Sequence, residues 1–138
     1  MRDLSDFNKE SIWEDRELTK YLFLSLGISK GLRFWVHHLC AKMIEELKKL
    51  FGELREILET ENESNWIRGI RIICNTLENG SPEFESERFE EVKRTYASMN
   101  GGAGSFSDYY IHRDDFNDRL KSNLRLDQIR DRLWEMLS

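Results

Sequence analysis

The stretch GLRFWVHHLCAKMIEELKKLFGELREILE, residues 31–59, carries the clearest periodic pattern in the chain. Its apolar residues recur at alternating steps of three and four, which places them on one face of an α-helix, and charged residues fill most other positions. The pattern predicts one long helix, the spine of a bundle, with Gly52 marking a kink or a break. A coiled-coil dimer is the alternative, but other helices are present to cover this face. The predicted face consists of Leu32, Trp35, Val36, Leu39, Met43, Leu47, Leu50, Leu54 and Ile57.

Helices are also predicted before and after this spine. The first covers residues 12–26, where leucines recur at every fourth position; Gly27 is placed to end it and Ser29 to cap the spine. Another covers residues 66–77, with Ser64 as its N-cap and Asn79-Gly80 at its end.

A fourth helix follows Ser81-Pro82, because proline suits the first turn of a helix, and it ends at Asn100-Gly101. Its predicted apolar face consists of Phe89, Val92, Tyr96 and Met99. The last helix is predicted to start near Asp114 or Asp115, whose carboxylates suit the helix dipole, and to run to the C-terminus. Its predicted inward residues are Phe116, Leu120, Leu124, Ile129, Leu133 and Leu137.

Composition supports this helical interpretation and excludes several classes of protein. One proline in 138 residues favours long helices joined by short turns, so we predict an all-α, single-domain bundle of about five helices. A net charge of −5 argues against a nucleic-acid binder, which needs a basic face. A polar N-terminus and short apolar runs predict neither a secretory signal nor a membrane span, so we expect a cytoplasmic protein.

Residues 101–112, GGAGSFSDYYIH, are the one stretch with no helical pattern; they form a glycine-rich and aromatic loop before the last helix. The glycines permit positive φ angles and close backbone approach, as an anion-binding loop requires. A phosphate loop would need a lysine and a preceding strand, and both are missing. We therefore favour a helix end followed by a turn that packs Phe106 against the bundle. The predicted structural glycines are Gly101, Gly102 and Gly104.

No constellation in the sequence has the spacing of a catalytic or metal centre. Adjacent His37 and His38 point in different directions on a helix, and His112 lacks the motif of a metal site. Cys40 and Cys74 sit among apolar residues, which predicts two buried thiols, although a disulfide between helices stays possible. We predict no metal, no cofactor and no enzymatic activity. A reaction that uses the glycine loop with His112 and Asp108 is the open alternative.

A run of glutamates lies on both sides of Arg88. Such a run is usually a solvated helix face, but it also suits docking onto a basic surface by electrostatic steering. Together with the loop it supplies the predicted partner contacts. These are Glu83, Glu85, Glu87, Glu90, Glu91, Ser105, Phe106, Asp108, Tyr109, Tyr110 and His112.

Residues 47–137 resemble a family of small uncharacterised bacterial helical proteins. The resemblance rests on Trp66, on the motif Gly-Gly-x-Gly-Ser-Phe-x-Asp at residues 101–108, and on a closing Arg-Asp-Arg-Leu-Trp-Glu-Met-Leu. Ala103 stands where methionine is usual, and Tyr109-Tyr110 replaces aliphatic residues. The first forty residues fall outside, so we divide the chain into an N-terminal extension, 1–40, and a family-like core, 41–138.

Small acidic bacterial proteins of this style look like immunity proteins encoded beside toxins. The resemblance implies a protein that binds and neutralises a cognate toxin. The alternative is a regulatory or structural helical module, with a homodimer through the long apolar face as one form.

Overall fold

The computed structural model describes residues 30–138, with side chains from His38 onward except Pro82. The predicted helix at residues 12–26 lies outside them, as do the side chains of His37 and the first part of the predicted spine. The described part is all-α and contains no strand, which confirms the fold class, with four helices there against about five predicted for the whole chain. The elements are α1 (Lys30–Thr60), α2 (Ile67–Glu78), a 3-10 turn (Pro82–Phe84), α3 (Glu85–Met99), a second 3-10 turn (Phe106–Asp108) and α4 (Phe116–Leu137).

The chain divides into two compact units, Met1–Leu39 and Cys40–Ser138. Within the second unit, all four helices contribute fully buried side chains to one hydrophobic core. Burial of this apolar surface is the main force that holds the helices together. The largest of these side chains are Leu47, Phe51, Leu54, Leu58, Ile70, Ile73, Leu77, Val92, Phe106, Leu126, Ile129 and Leu133.

The spine prediction is confirmed in its bounds and corrected in one detail. Helix α1 runs unbroken through Gly52, so the predicted break is absent. A Cβ atom at Gly52 would meet nothing within 4 Å, so no close neighbour requires glycine there. Leu47, Leu50 and Leu54 are buried as predicted, and Phe51 and Leu58 extend the buried face.

Ion pairs show that α1 and α4 run antiparallel. Glu46 pairs with Arg132, with oxygen–nitrogen distances of 2.7 and 3.2 Å, and Glu53 pairs with Arg125. Further along α1 the partner comes from earlier in the chain, because Glu61 after the helix binds Arg113 before α4. As the residue numbers of the glutamates increase, those of their arginine partners decrease, which only antiparallel elements allow.

Caps set the beginnings of α2 and α4. The predicted cap Ser64 is not used; instead the Glu63 carboxylate accepts the amide N–H groups of Asn65, Trp66 and Ile67 at 2.7, 2.6 and 3.0 Å. A carboxylate there satisfies free amides and opposes the positive end of the helix dipole. Helix α4 begins at Phe116, which agrees with the predicted start near Asp114 or Asp115, and the Asp115 side chain caps it by accepting the N–H of Asp118.

Arg88 fixes the connection between α2 and α3. It is buried, and its guanidinium donates to the carbonyls of Leu77 at 2.9 Å and Ser81 at 3.3 Å. Gly80 makes room for it, because a Cβ atom there would lie 1.9 Å from the Arg88 Cδ. The arginine within the acidic run therefore faces the fold and does not pair with the glutamates around it.

The predicted inward face of α4 is half wrong. Ile129, Leu133 and Leu137 are buried, whereas Phe116, Leu120 and Leu124 are 63, 58 and 57% exposed. The core takes a second series of residues instead, whose centre lies more than a third of a turn around the helix from the centre of the exposed three. That series also includes Asn123, Leu126 and Met136.

Among the helices of residues 30–138, none combines the length and the apolar character that a membrane crossing requires.

Candidate functional site

The glycine-rich loop owes its backbone path to two of its glycines. Gly102 and Gly104 have φ angles of +92° and +73°, a region that side chains with a Cβ atom avoid. The N–H of Gly104 donates to the Asp108 carboxylate at 2.8 Å, so the loop closes on itself. An incoming anion would need that amide, which Asp108 already occupies. The structure thus favours the turn interpretation over an anion-binding loop.

Phe106 is the hydrophobic anchor of the loop, as the turn interpretation predicted. Its side chain is fully buried, and its ring lies 5.8 Å from Trp66, 6.3 Å from Tyr96 and 6.2 Å from Tyr109, measured between ring centroids. The Trp66 ring is tilted against Phe106, the Tyr96 ring meets it edge-on and the Tyr109 ring is stacked, and such contacts stabilise aromatic clusters beyond the area that they bury. Burial also raises the pKa of the Tyr96 hydroxyl.

Arg130 of α4 is the polar anchor of the loop. One terminal nitrogen of its guanidinium donates to the carbonyls of Phe106 at 3.0 Å, Ser107 at 3.1 Å and Tyr109 at 3.0 Å. The guanidinium also lies over the Phe106 ring, 5.8 Å from its centroid, and pairs with Asp127 at 2.5 Å. A charged donor shared by three carbonyls holds the loop against α4.

Asn123 holds the end of the loop in an extended form. This buried side chain accepts the N–H of Ile111 and donates to the carbonyl of Ile111, both at 2.9 Å. The amide thus replaces the neighbouring strand that an extended residue would pair with in a sheet. Ile111 itself is buried, which fixes which side of the segment faces the core.

The loop residues predicted to contact a partner divide into two groups. Ser105 and Phe106 are buried, and the Ser105 hydroxyl lies 2.7 Å from that of Ser107, so both belong to the packing of the loop. Tyr109 is half-buried, and burial and the charges of Glu61 and Glu63 raise its pKa. The exposed group consists of Asp108, Tyr110 and His112, in which the last two rings are in contact at 5.5 Å.

We use the name acidic surface for the five predicted glutamates, Glu83, Glu85, Glu87, Glu90 and Glu91. On α3, Glu87, Glu90 and Glu91 lie on the side away from the core, whereas Glu85 lies on the same side as the buried Val92 and Tyr96. Four are exposed and Glu85 is half-buried. None forms an ion pair in the described part of the chain. Glu83, Glu85 and Glu87 lie at the N-terminal ends of the 3-10 turn and α3, where the helix dipole favours carboxylates. Glu90 and Glu91 lie beyond the first turn, so the dipole explains them less well.

Several glutamates elsewhere form ion pairs between elements, although the exposed Glu56 and Glu78 form none in the described part of the chain. Glu46, Glu53, Glu59 and Glu61 each bind an arginine from another element. These ion pairs between elements all involve carboxylates of α1 or of the turn after it, and the acidic surface has none among the described residues. Exposed Arg94 lies on the same side of α3, one turn beyond Glu90 and Glu91, so this side carries three carboxylates and one guanidinium. The excess of negative charge attracts cationic partners.

The structure does not bring the acidic surface and the loop together as one compact site. They lie at the two ends of α3, because the glutamates begin the helix and the loop follows its last residue, Met99. At 1.5 Å per residue, Glu87 and Asn100 are separated by about 20 Å along the axis. Sequence reasoning also missed Arg130 and Asn123, whose partners are backbone groups that carry no signal in the sequence.

The cysteines and histidines show no chemical site in the described residues. Cys74 is buried and donates weakly to the Phe51 carbonyl at 3.6 Å, and Cys40 is half-buried; both are free thiols. Burial raises the pKa of each thiol, with the charge of Glu85 adding to the effect at Cys40. Within the same residues, no group of three or more histidine, cysteine or carboxylate side chains is placed to hold a metal ion.

Comparison with known proteins finds one family. Residues 59–118 match the model of a domain of unknown function, DUF6966. The matched part runs from the end of α1 through α2, α3 and the loop to the start of α4. It therefore includes the acidic surface and the glycine motif, but under half of the chain. Neither a curated protein nor a solved structure matches significantly.

Proposed function

We propose that this protein is a binding inhibitor, an immunity protein of the cytoplasm that neutralises a cognate bacterial toxin by direct contact. The observation that supports the proposal is the acidic surface, whose five glutamates have no ion pair in the described residues although the chain pairs glutamates elsewhere. Exposed carboxylates without an ion pair reduce the stability of the fold only slightly, and they can form ion pairs when a basic surface approaches. Toxins that cleave nucleic acid must carry such a surface.

An exposed aromatic residue lies within the acidic surface. Phe84 is 51% exposed and stands between Glu83 and Glu85 in the chain. Aromatic side chains are common anchors at the centre of protein interfaces, and charges at the rim speed association and select the partner. The proposed interface therefore has Phe84 as its anchor and the glutamates as its steering charges.

Co-expression with the product of the adjacent gene tests this function. The wild-type chain should restore growth against that toxin. The triple variant Glu87→Gln, Glu90→Gln and Glu91→Gln should restore it poorly, because it removes steering charge. The matched control Glu56→Gln, Glu78→Gln and Asp114→Asn removes the same charge from exposed positions off the acidic surface, and it should protect like the wild type. Equal loss of protection by both variants, or none by either, would contradict the proposal.

The second candidate is a helical interaction module, which forms a homodimer in one version. The exposed apolar residues of α4 favour it, since folding leaves them uncovered within the described residues. Light scattering separates the two candidates. A monomer that forms a 1:1 complex with the toxin supports an immunity protein, and a stable dimer without any partner supports the module.

A further inference from the structure

The buried Arg88 is joined to the exposed Phe84 through one backbone carbonyl. The carbonyl of Ser81 accepts the N–H of Phe84 at 3.1 Å and a terminal nitrogen of the Arg88 guanidinium at 3.3 Å. The other terminal nitrogen donates to the carbonyl of Leu77, in the last turn of α2, at 2.9 Å. Arg88 therefore ties the end of α2 to the 3-10 turn whose last residue is Phe84.

Gly80 is shaped by the same arginine. Its φ angle lies outside the left-handed region, unlike those of Gly102 and Gly104, so its backbone conformation does not call for glycine. A Cβ atom at Gly80 would instead overlap with Cδ and Nε of Arg88. The missing side chain at this position therefore makes space for the guanidinium.

Stability alone explains Arg88 poorly. Its side chain is buried, its Nε has no hydrogen-bond partner, and among the described residues it has no carboxylate partner either. A buried charge that is incompletely paired is costly, and apolar residues of similar volume often replace buried ions without loss of stability. The geometry that Arg88 imposes on the turn is what an apolar residue could not supply.

That turn presents Phe84, the proposed anchor of the acidic surface, which is 51% exposed. An aromatic side chain on a turn that is already fixed loses less conformational freedom on binding, which raises affinity. We therefore propose that Arg88 is a positioning residue of the acidic surface, which holds the turn so that Phe84 is preorganised for the basic toxin and does not itself touch the toxin. This inference rests on the proposed function, because it concerns the same interface.

A double-mutant cycle tests the coupling, by calorimetric titration of the full chain with the product of the adjacent gene. Phe84→Ala should weaken binding by about tenfold and Arg88→Met by about fivefold. On the Phe84→Ala background, Arg88→Met should weaken it by less than about twofold, because the residue that Arg88 positions is gone. With Glu90→Gln the effects should multiply. An arginine that only stabilised the fold would show the same loss on every background.

Gly80→Ala disturbs the same contact while Arg88 is retained. It should weaken binding by about as much as Arg88→Met, because its Cβ atom displaces the guanidinium. On an Arg88→Ala background it should have little further effect, since the overlapping atoms are absent. Gly52→Ala is the matched control, with open space around it, and should bind like the wild type.

Chymotrypsin cleavage of the free chain reports the order of the turn without a toxin. Arg88→Met and Gly80→Ala should raise cleavage after Phe84 relative to cleavage after the buried Phe106, which requires wider unfolding. Gly52→Ala should leave this ratio unchanged. An unchanged ratio in both test variants would overturn the proposal.

The binding results separate this inference from the proposed function. A wild-type chain that binds the toxin, with losses from Arg88→Met and Phe84→Ala that multiply, overturns the positioning role and leaves the immunity protein intact. So does full affinity in both Arg88→Met and Gly80→Ala. A wild-type chain that does not bind the toxin overturns the proposed function, and the role of Arg88 at that interface with it.

Discussion

The glycine-rich loop and the outer face of α4 present opposite relations between sequence and folding. The loop looks unusual in sequence, yet nearly every feature of it has a packing role: positive φ at Gly102 and Gly104, burial of Phe106, and carbonyls bound by Arg130. Helix α4 looks ordinary, yet its outer face exposes large apolar side chains that packing within the described residues leaves unexplained. We define this outer face by Phe116, Leu120, Leu124 and Trp134. An irregular motif can thus serve the fold, and a regular helix can carry apolar residues that its core does not use.

The largest difference between the two regions is expected at their aromatic positions. Phe106→Ala should lower the free energy of unfolding by about 3–5 kcal/mol, because it empties the centre of an aromatic cluster. Trp134→Ala removes a larger side chain from the outer face of α4 and should cost less than about 1 kcal/mol. Urea unfolding followed by circular dichroism measures both. Similar losses at the two positions would contradict the difference drawn between the regions.

The second prediction concerns arginines on α4. Arg130→Met keeps most of the apolar stem but leaves three loop carbonyls without their donor, so we expect a loss of about 1–3 kcal/mol. Arg125→Met breaks a more exposed pair with Glu53 and should cost no more than about 1 kcal/mol. Urea unfolding of the two variants tests this order, and a reversed order would show that the loop does not depend on Arg130.

The third prediction is that substitution by alanine changes the stability of the protein in opposite directions at Gly104 and at Gly52. Gly104→Ala places a Cβ atom at φ +73° and should destabilise by about 1–2 kcal/mol. Gly52→Ala, inside α1 with open space around it, should stabilise by about 1 kcal/mol. Thermal unfolding of both variants measures the shifts. Stabilisation by Gly104→Ala would mean that the loop does not need its left-handed backbone.

The smallest expected effect is on the outer face of α4. Leu124→Glu should change the free energy of unfolding by no more than about 0.5 kcal/mol, because the side chain is already exposed. Leu126→Glu, two residues further and fully buried, is the matched control and should prevent cooperative folding. Circular dichroism melting curves distinguish these outcomes. If Leu124→Glu also unfolded the protein, the outer face would belong to the fold.

The sequence predicts the positions of the helices better than it predicts which face of each helix is buried. Local signals predict the end of α3 at Asn100 and the start of α4 at Asp115, whereas Glu63 and not Ser64 caps α2, and Ser81-Pro82 begins a 3-10 turn before α3. Helix α4 carries two apolar series with similar spacing, one containing Leu120 and Leu124 and the other containing Leu133. Periodicity alone cannot choose between them, because that choice depends on tertiary contacts.

The candidate site was predictable in composition but not in geometry. The acidic surface follows directly from the run of glutamates, and its exposure follows from their charge. The absence of ion pairs from this run, within the described residues, could not be predicted from the sequence. Glu46 and Glu53 look the same in sequence, yet they bind Arg132 and Arg125. Arg88 is the only cation within the run of glutamates, and it is buried against Gly80, so it does not neutralise them. This burial depends on a tertiary contact that the sequence does not show.

The central claim is that the chain acts by binding a partner through surfaces that folding does not require. Calorimetric titration of the purified chain with the product of the adjacent gene tests it most directly. We predict a 1:1 complex whose affinity falls by about tenfold in the variant Glu90→Gln and Glu91→Gln, with an unchanged unfolding temperature and a smaller difference at high salt. The absence of binding, or a variant that binds as tightly as the wild type at low salt, would contradict the claim.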